Sequence, residues 1–166
     1  NPNAPTIIYL HWGGYTSGDK SQDSPLPIAL ANRGYNVLNA NYTLASPTQA
    51  SFPQPVRDVK AVIRWVRTTG VELGLSPTIV LSGSSAGGTI AMTAAMSDGE
   101  PYFEPLPAPP GGYRVDAAVG LYGRYDLVCP LIGADDLHRA WPEASYVIVD
   151  DAGHSSHEPG IARQLV

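Results

Sequence analysis

The stretch from Thr78 to Met92, TIVLSGSSAGGTIAM, limits what this chain can fold into more than any other. An apolar, β-prone run breaks into small residues and resumes as Ala- and Met-rich helix-forming sequence. Inside the break lies Gly83-x-Ser85-x-Gly87, the pattern of a nucleophile elbow. A sharp strand-to-helix turn forces its central serine into a strained backbone conformation, and side chains on the neighbouring residues would clash with it. Such a turn lifts the Ser85 hydroxyl above the strand ends, where the amides of the following helix can meet a developing anion. The pattern by itself is weak: with this Gly and Ser content, chance supplies one roughly once in eight such chains. The strand before it and the helix after it make the catalytic reading the stronger one.

The rest of the chain repeats the strand-then-helix alternation. Thr6–Leu10, Tyr35–Asn41, Thr78–Ser82, Val115–Leu121 and Ser145–Val149 read as short apolar strands. Pro25–Arg33 reads as a helix, with Ser24 as N-cap, Pro25 at its first position and Gly34 as its stop. From Val56 to Thr69, Val56, Val59, Val62, Ile63 and Val66 recur at helical spacing, while Arg57, Lys60, Arg64 and Arg67 fall on other faces. A helix follows the elbow to about Met96, and Ser97–Gly112 reads as an acidic, proline-rich surface loop. The expected architecture is a single α/β domain over residues 1–166, a parallel sheet of about five strands with helices on both faces.

In such a sheet the active site lies beyond the C-terminal ends of the strands. Each of those ends carries something reactive here: His11 and two glycines after Leu10, Ser85 after Ser82, Asp126 after Leu121, and His154 after Val149. Acyl transfer needs four parts: a hydroxyl nucleophile, a histidine to take its proton, a carboxylate to orient the histidine, and amides to hold the oxyanion. The expected triad is Ser85, Asp126 and His154, in the chain order of α/β-hydrolases. The competing acids are less well placed, because Asp135 and Asp136 fall in helix-forming sequence and Asp150 and Asp151 stand too near His154. Among competing bases, His157 lies a turn further on and His138 falls on a surface helix. The Asp150, Asp151, His154, His157 and Glu158 group matches no standard metal spacing, so neither a metal nor a cofactor is expected. Trp12 and Tyr15 are candidates to line the substrate pocket, or equally to pack the loop.

The motifs also resemble known families. His11-Trp-Gly-Gly14 with Tyr-Thr-Ser-Gly-Asp-Lys20, Asn41-Tyr-Thr-Leu-Ala45 and Gly83-Ser-Ser-Ala-Gly-Gly88 resemble α/β-hydrolase esterases of the hormone-sensitive-lipase and acetyl-hydrolase type. The resemblance runs from about Thr6 to Tyr122. It implies an oxyanion hole built from the amides of Gly13, Gly14 and Ala86, with Trp12 standing where that family has its first glycine. The segment after Tyr122 is different: Gly123-Arg-Tyr-Asp126 and Asp151-Ala-Gly-His-Ser155 resemble proline iminopeptidases, which places the same triad roles on Asp126 and His154. The iminopeptidase elbow is missing, and the interval from Ser85 to Asp126 is too short for its helical cap.

The expectation is therefore a pared-down α/β-hydrolase fold without a cap domain, cleaving small-molecule carboxylic esters with short acyl groups. A proline-iminopeptidase-like aminopeptidase and a non-catalytic binding protein or inactive fragment are the alternatives. The formal charge of −5 argues against nucleic acid or an anionic membrane, and no apolar run is long enough to span a bilayer. Cys129, the one cysteine, has no internal partner for a disulfide. No signal peptide is visible, so a cytoplasmic location is expected ahead of secretion. The chain starts without Met and stops in helix-forming sequence, which suggests a processed, trimmed or partial chain. Bare sheet edges would allow homo-oligomers.

Overall fold

The computed structural model describes residues 1–22, 25–104 and 107–121, and beyond them 135, 136, 138, 139, 142, 145, 147–150, 152–154, 159 and 163. Two compact units divide the chain, Asn1–Gly120 and Leu121–Val166. In the first unit, β1 (Thr6–Leu10), α1 (Pro25–Asn32), β2 (Asn36–Ala40), α2 (Gln54–Trp65), β3 (Ile79–Ser84), α3 (Ala86–Met96) and β4 (Ala117–Leu121, whose last residue opens the second unit) follow one another. The strands lie in the order β2-β1-β3-β4. β1 is parallel to both neighbours, Ile8 facing Leu38 on one side and Leu81 on the other.

This order decides where the helices go. The crossover from β1 to β2 runs one way across the sheet and that from β2 to β3 runs the other. Right-handed connections therefore put α1 on one face and α2 on the opposite face. α3 packs against α2, so those two share a face. Period-two alternation shows in what they cover: Ile8 and Leu10 of β1 and Ile79 and Leu81 of β3 join Val56, Val59 and Ile63 of α2 and Ile90, Ala91 and Ala94 of α3 in one buried cluster. Ile7 and Tyr9 point the other way and are buried as well, as a central parallel strand requires. Tyr9 donates its hydroxyl proton to Ser84 Oγ across the strands at 3.2 Å.

Four strands are present among the described residues, and the expected fifth is not formed there. Ser145 and residues 147–149 carry no strand, and Val147 is 56% exposed. An apolar run becomes a strand only beside an edge that completes its hydrogen bonds and under layers that cover it. Up to Leu121 the other strand and helix readings hold with small shifts of boundary. α1 starts at Pro25 and is followed by Gly34 at φ 91°; its expected cap, Ser24, lies outside the described residues. β3 runs on to Ser84, and α2 continues into a turn of π-helix at Val66–Gly70.

The basic residues of α2 do more than face solvent. They recur at helical spacing and each reaches carbonyl groups of the proline-rich segment after α3. Arg57 donates to Tyr102 O at 3.1 and 2.8 Å, Arg64 to Pro107 O, and Arg67 to the carbonyls of Gly111, Gly112 and Arg114. Lys60 is fully buried: its ammonium donates to Ser97 O at 2.5 Å and pairs with Glu104 at 2.9 Å, 5.4 Å from the centre of the Tyr113 ring. Glu104 also accepts the Gly99 amide at 2.7 Å. Burial pushes the Tyr113 hydroxyl pKa upward.

A buried charge whose partner is removed costs far more than an exposed one. Lys60→Met should lower unfolding free energy by about 3–5 kcal/mol, because Glu104 and the Ser97 carbonyl lose their donor. Arg139→Ala, which breaks an exposed pair with Asp136, should cost under about 1 kcal/mol. Urea denaturation of both variants checks this, and equal costs would contradict the packing described.

Candidate active site

The elbow is strained at its centre. Ser85 adopts φ 53° and ψ −124°, one of two non-glycine residues with positive φ among those described. It is the N-cap of α3 but makes no side-chain capping bond, so its hydroxyl is not consumed by the helix it begins. What makes that conformation affordable is the pair of flanking glycines. A Cβ on Gly87 would run into the carbonyl oxygen of Leu10 and come within 2.5 Å of that of His11; one on Gly83 would come 2.5 Å from the carbonyl carbon of Gly87. The first turn of α3 therefore rests directly on the end of β1. Ser85 is 5% exposed. Its helix presents first-turn amides with no carbonyl behind them, the positive end of the helix dipole.

That contact brings the elbow beside the loop that leaves β1. Gly13 (φ 134°) and Gly14 (φ 60°) both need left-handed backbone. At Gly13 a Cβ would collide with the Ser17 carbonyl, and the Gly13 carbonyl itself accepts the amides of Thr16 and Ser17 at 3.1 and 3.0 Å. His11 is buried and stacked on Tyr42, ring centres 4.4 Å apart, while the Tyr42 hydroxyl donates to His11 O at 3.1 Å. The His11 Nδ1 faces the Trp12 carbonyl at 2.5 Å, so that nitrogen carries the proton. The histidine is tied into the loop, as a loop-ordering residue would be.

Asp19 fastens the far end of this loop. Its carboxylate accepts from Ser21 Oγ at 2.6 Å, the Ser21 amide at 2.8 Å and the Asn41 amide group at 2.7 Å. These bonds, those from Ser21 first, hold its pKa down to about 2. Asn41 closes the circuit by accepting the Lys20 amide at 2.7 Å.

Along α3 lies a pocket of about 370 Å³, with no residue of the elbow among its walls. Tyr15 of the loop, Ala45 and Phe52 of the segment after β2, Val56 of α2, and Thr89 and Ile90 of α3 are among its walls. Trp12, 41% exposed, is not one of them. Sequence reasoning missed the walls from Ala50 to Val56, since nothing local in that polar, proline-bearing loop marks it as a pocket wall.

The remaining candidates lie further along the chain. Asp126 lies outside the described residues. His154 belongs to the second unit, in a bend after buried Ala152, and is itself half-buried. The rival acid Asp136 is helical, largely exposed and paired with Arg139 at 2.7 Å. Asp151 and His157 are also outside the described residues. Among the described residues no group of three or more His, Cys, Asp or Glu could hold a metal, and no helix is long and apolar enough to cross a membrane.

A family model, BD-FAE, matches residues 1–151. The chain is 36% identical over 131 residues to a probable carboxylic ester hydrolase, LipM, of Mycobacterium tuberculosis, covering 75% of this chain and 28% of that protein. With the esterase LipQ of the same organism it shares 33% over 143 residues, 82% of this chain and 31% of that one. It thus spans under a third of the length of these relatives. A 44-residue stretch, 26% of the chain, is 64% identical to a proline iminopeptidase of Arabidopsis thaliana, 12% of that protein. Among solved structures, Thermogutta terrifontis esterase 2 phosphorylated by paraoxon superposes with a TM-score of 0.81 at 22% identity, over 98% of this chain and 79% of that one. The fold is that of an α/β-hydrolase, and no cap domain is formed among the described residues.

Two predictions follow from this geometry. Gly87→Ala should destabilise the protein by about 1–3 kcal/mol or more, because the obstructing atoms are backbone oxygens that cannot turn aside; calorimetry measures it. For Asp19, the folded pKa is lowered, so its contribution is present above the ordinary carboxylate value near 3.9 and is lost as pH falls from about 4 to about 2. The Ser21 amide should lose hydrogen-exchange protection across that window in the native protein and show no such step in Asp19→Asn.

Proposed function

The chain belongs to the BD-FAE family, and we propose that it acts as a carboxylesterase, cleaving esters through an acyl-enzyme formed on Ser85. The observation that carries this is the strained, uncapped Ser85 at the start of α3, held against the end of β1 by Gly83 and Gly87. The names of the relatives LipM and LipQ support the same chemistry.

In this reading Ser85 Oγ attacks the ester carbonyl carbon while His154 takes its proton. Asp126 holds the imidazole in the required tautomer and stabilises its cation. The oxygen of the tetrahedral intermediate is met by the amides of Gly13, Gly14 and Ala86. His154 then returns the proton to the leaving alcohol, and a water activated by the same base releases the acid. The family match crosses the boundary between the two units, which supports treating residues 1–166 as one hydrolase domain. With no cap among the described residues to enclose a long chain, short-acyl esters of small molecules are the substrates in this reading, with Trp12 and Tyr15 as candidate substrate contacts. The short, high-identity match to proline iminopeptidases favours a second reading, an aminopeptidase acting on N-terminal proline. It is opposed by the different elbow and by the lack of a cap among the described residues.

A fluorophosphonate probe followed by mass spectrometry should find one adduct, on Ser85. The chain should turn over p-nitrophenyl acetate faster than proline p-nitroanilide, and Ser85→Ala should lower kcat by at least about 10³-fold. Absence of the adduct would sink both enzymatic readings in favour of a non-catalytic role. Faster amide cleavage would replace the esterase with the aminopeptidase.

A further inference from the structure

We propose that Ser17 is a positioning residue of the oxyanion hole, its hydroxyl fixing the direction in which the Gly14 amide points. The inference rests on the reading of Gly13 and Gly14 as oxyanion donors and adds the group that aims one of them. Along this stretch the carbonyls are engaged and the amides are not. The Trp12 carbonyl takes the His11 Nδ1 proton at 2.5 Å. The Gly13 carbonyl accepts the Thr16 amide at 3.1 Å, the Ser17 amide at 3.0 Å and the Ser17 hydroxyl at 3.0 Å. Among the described residues neither the Gly13 nor the Gly14 amide meets an acceptor.

A trans peptide is a rigid plane whose N–H points away from its C=O. Holding the Gly13 oxygen inside the turn therefore directs the Gly14 N–H out of it. Packing gives no such direction here. Gly14 is exposed, and a Cβ built on it would touch nothing within 4 Å. Glycine takes positive and negative φ with nearly equal ease, so a plane between two glycines turns over at little steric cost. The bonds to the Gly13 oxygen decide which way it lies. Residue 17 supplies both its amide and its hydroxyl, and it comes so near because Gly13 has no Cβ to meet the Ser17 carbonyl. The middle of the turn is tied down separately, the Tyr15 carbonyl accepting the Ala45 amide at 2.7 Å. Of the donors to Gly13, the hydroxyl is the one that a side-chain substitution removes while the backbone amides stay.

The experiment compares the native chain with Ser17→Ala and Ser17→Thr. Each is labelled with a fluorophosphonate, and phosphorus NMR reads the Ser85 adduct folded and again in urea. Hydrolysis of p-nitrophenyl acetate gives kcat and KM. Amides that meet the phosphonyl oxygen displace the phosphorus resonance from its position in the unfolded adduct. Ser17→Ala should move it part of the way back and lower kcat about two- to tenfold, the worth of one neutral hydrogen bond, with KM unchanged. Ser17→Thr, which keeps a hydroxyl on the same carbon, should restore both. Ser17 is exposed, so the unfolding midpoint should hold in both variants. A midpoint that falls while the resonance stays would make Ser17 a loop-stabilising residue and overturn the proposal. An unchanged kcat and resonance in Ser17→Ala would overturn it as well, leaving the esterase reading intact. A native adduct that resonates as it does in urea would sink the oxyanion role of the two glycines, and this inference with it. Failure of Ser85 to take the label would overturn the esterase reading itself.

Discussion

Much of this structure depends on how closely the first turn of α3 approaches the end of β1. A helix at ordinary distance from a strand would leave Ser85 free to relax and the following amides remote from the loop that leaves β1. Here the two backbones meet with no side chain between them, because Gly83 and Gly87 supply none. That contact does three things at once. It holds Ser85 at a positive φ, it sets the first turn of α3 against the start of the loop that leaves β1, and it fixes α3 as a wall of the neighbouring pocket. The strain at one residue is sustained by packing over the surrounding strands and α2, as over-determined functional conformations require.

The loop after β1 is held with comparable redundancy. One tyrosine, Tyr42, grips it through both stacking and a hydrogen bond to His11. At the other end Asp19 and Asn41 exchange bonds with residues of two separate segments. Glycines allow the loop its left-handed turns, and the polar clamps at its two ends remove the freedom that glycines would otherwise bring.

What was legible in the sequence follows the range of the interactions. The elbow, β1, β3 and the limits of α3 are dictated by neighbours within a few residues, and they lie where the pattern puts them. Burial of Lys60 was not legible, because its partners Ser97 and Glu104 stand 37 and 44 residues away and helical periodicity assigns a lysine to water. The pocket was hidden for a similar reason, being assembled from a loop, a proline-bearing connection and two helices. The apolar run ending at Val149 misled in the opposite direction, since its composition suits a strand but pairing depends on an edge the run does not specify. For the site, Gly87 of the elbow lies against the carbonyls of Leu10 and His11, where the glycine loop begins. His154 was named by its place after a strand and by the resemblance of its motif, and Asp126 lies beyond the described residues.

Apart from the Lys60–Glu104 pair, the hydrogen bonds described from α2 and Arg67 to the segment from Ser97 to Arg114 end on carbonyl oxygens. Backbone oxygens are the same whichever amino acid carries them, and proline, which lacks an amide proton, still offers one. The helix therefore recognises the path of this segment more than its residues. Over evolutionary time such a connection can drift in composition where its side chains face solvent, keeping Glu104 and the buried Tyr113 in place, while the arginine row on α2 keeps its hold.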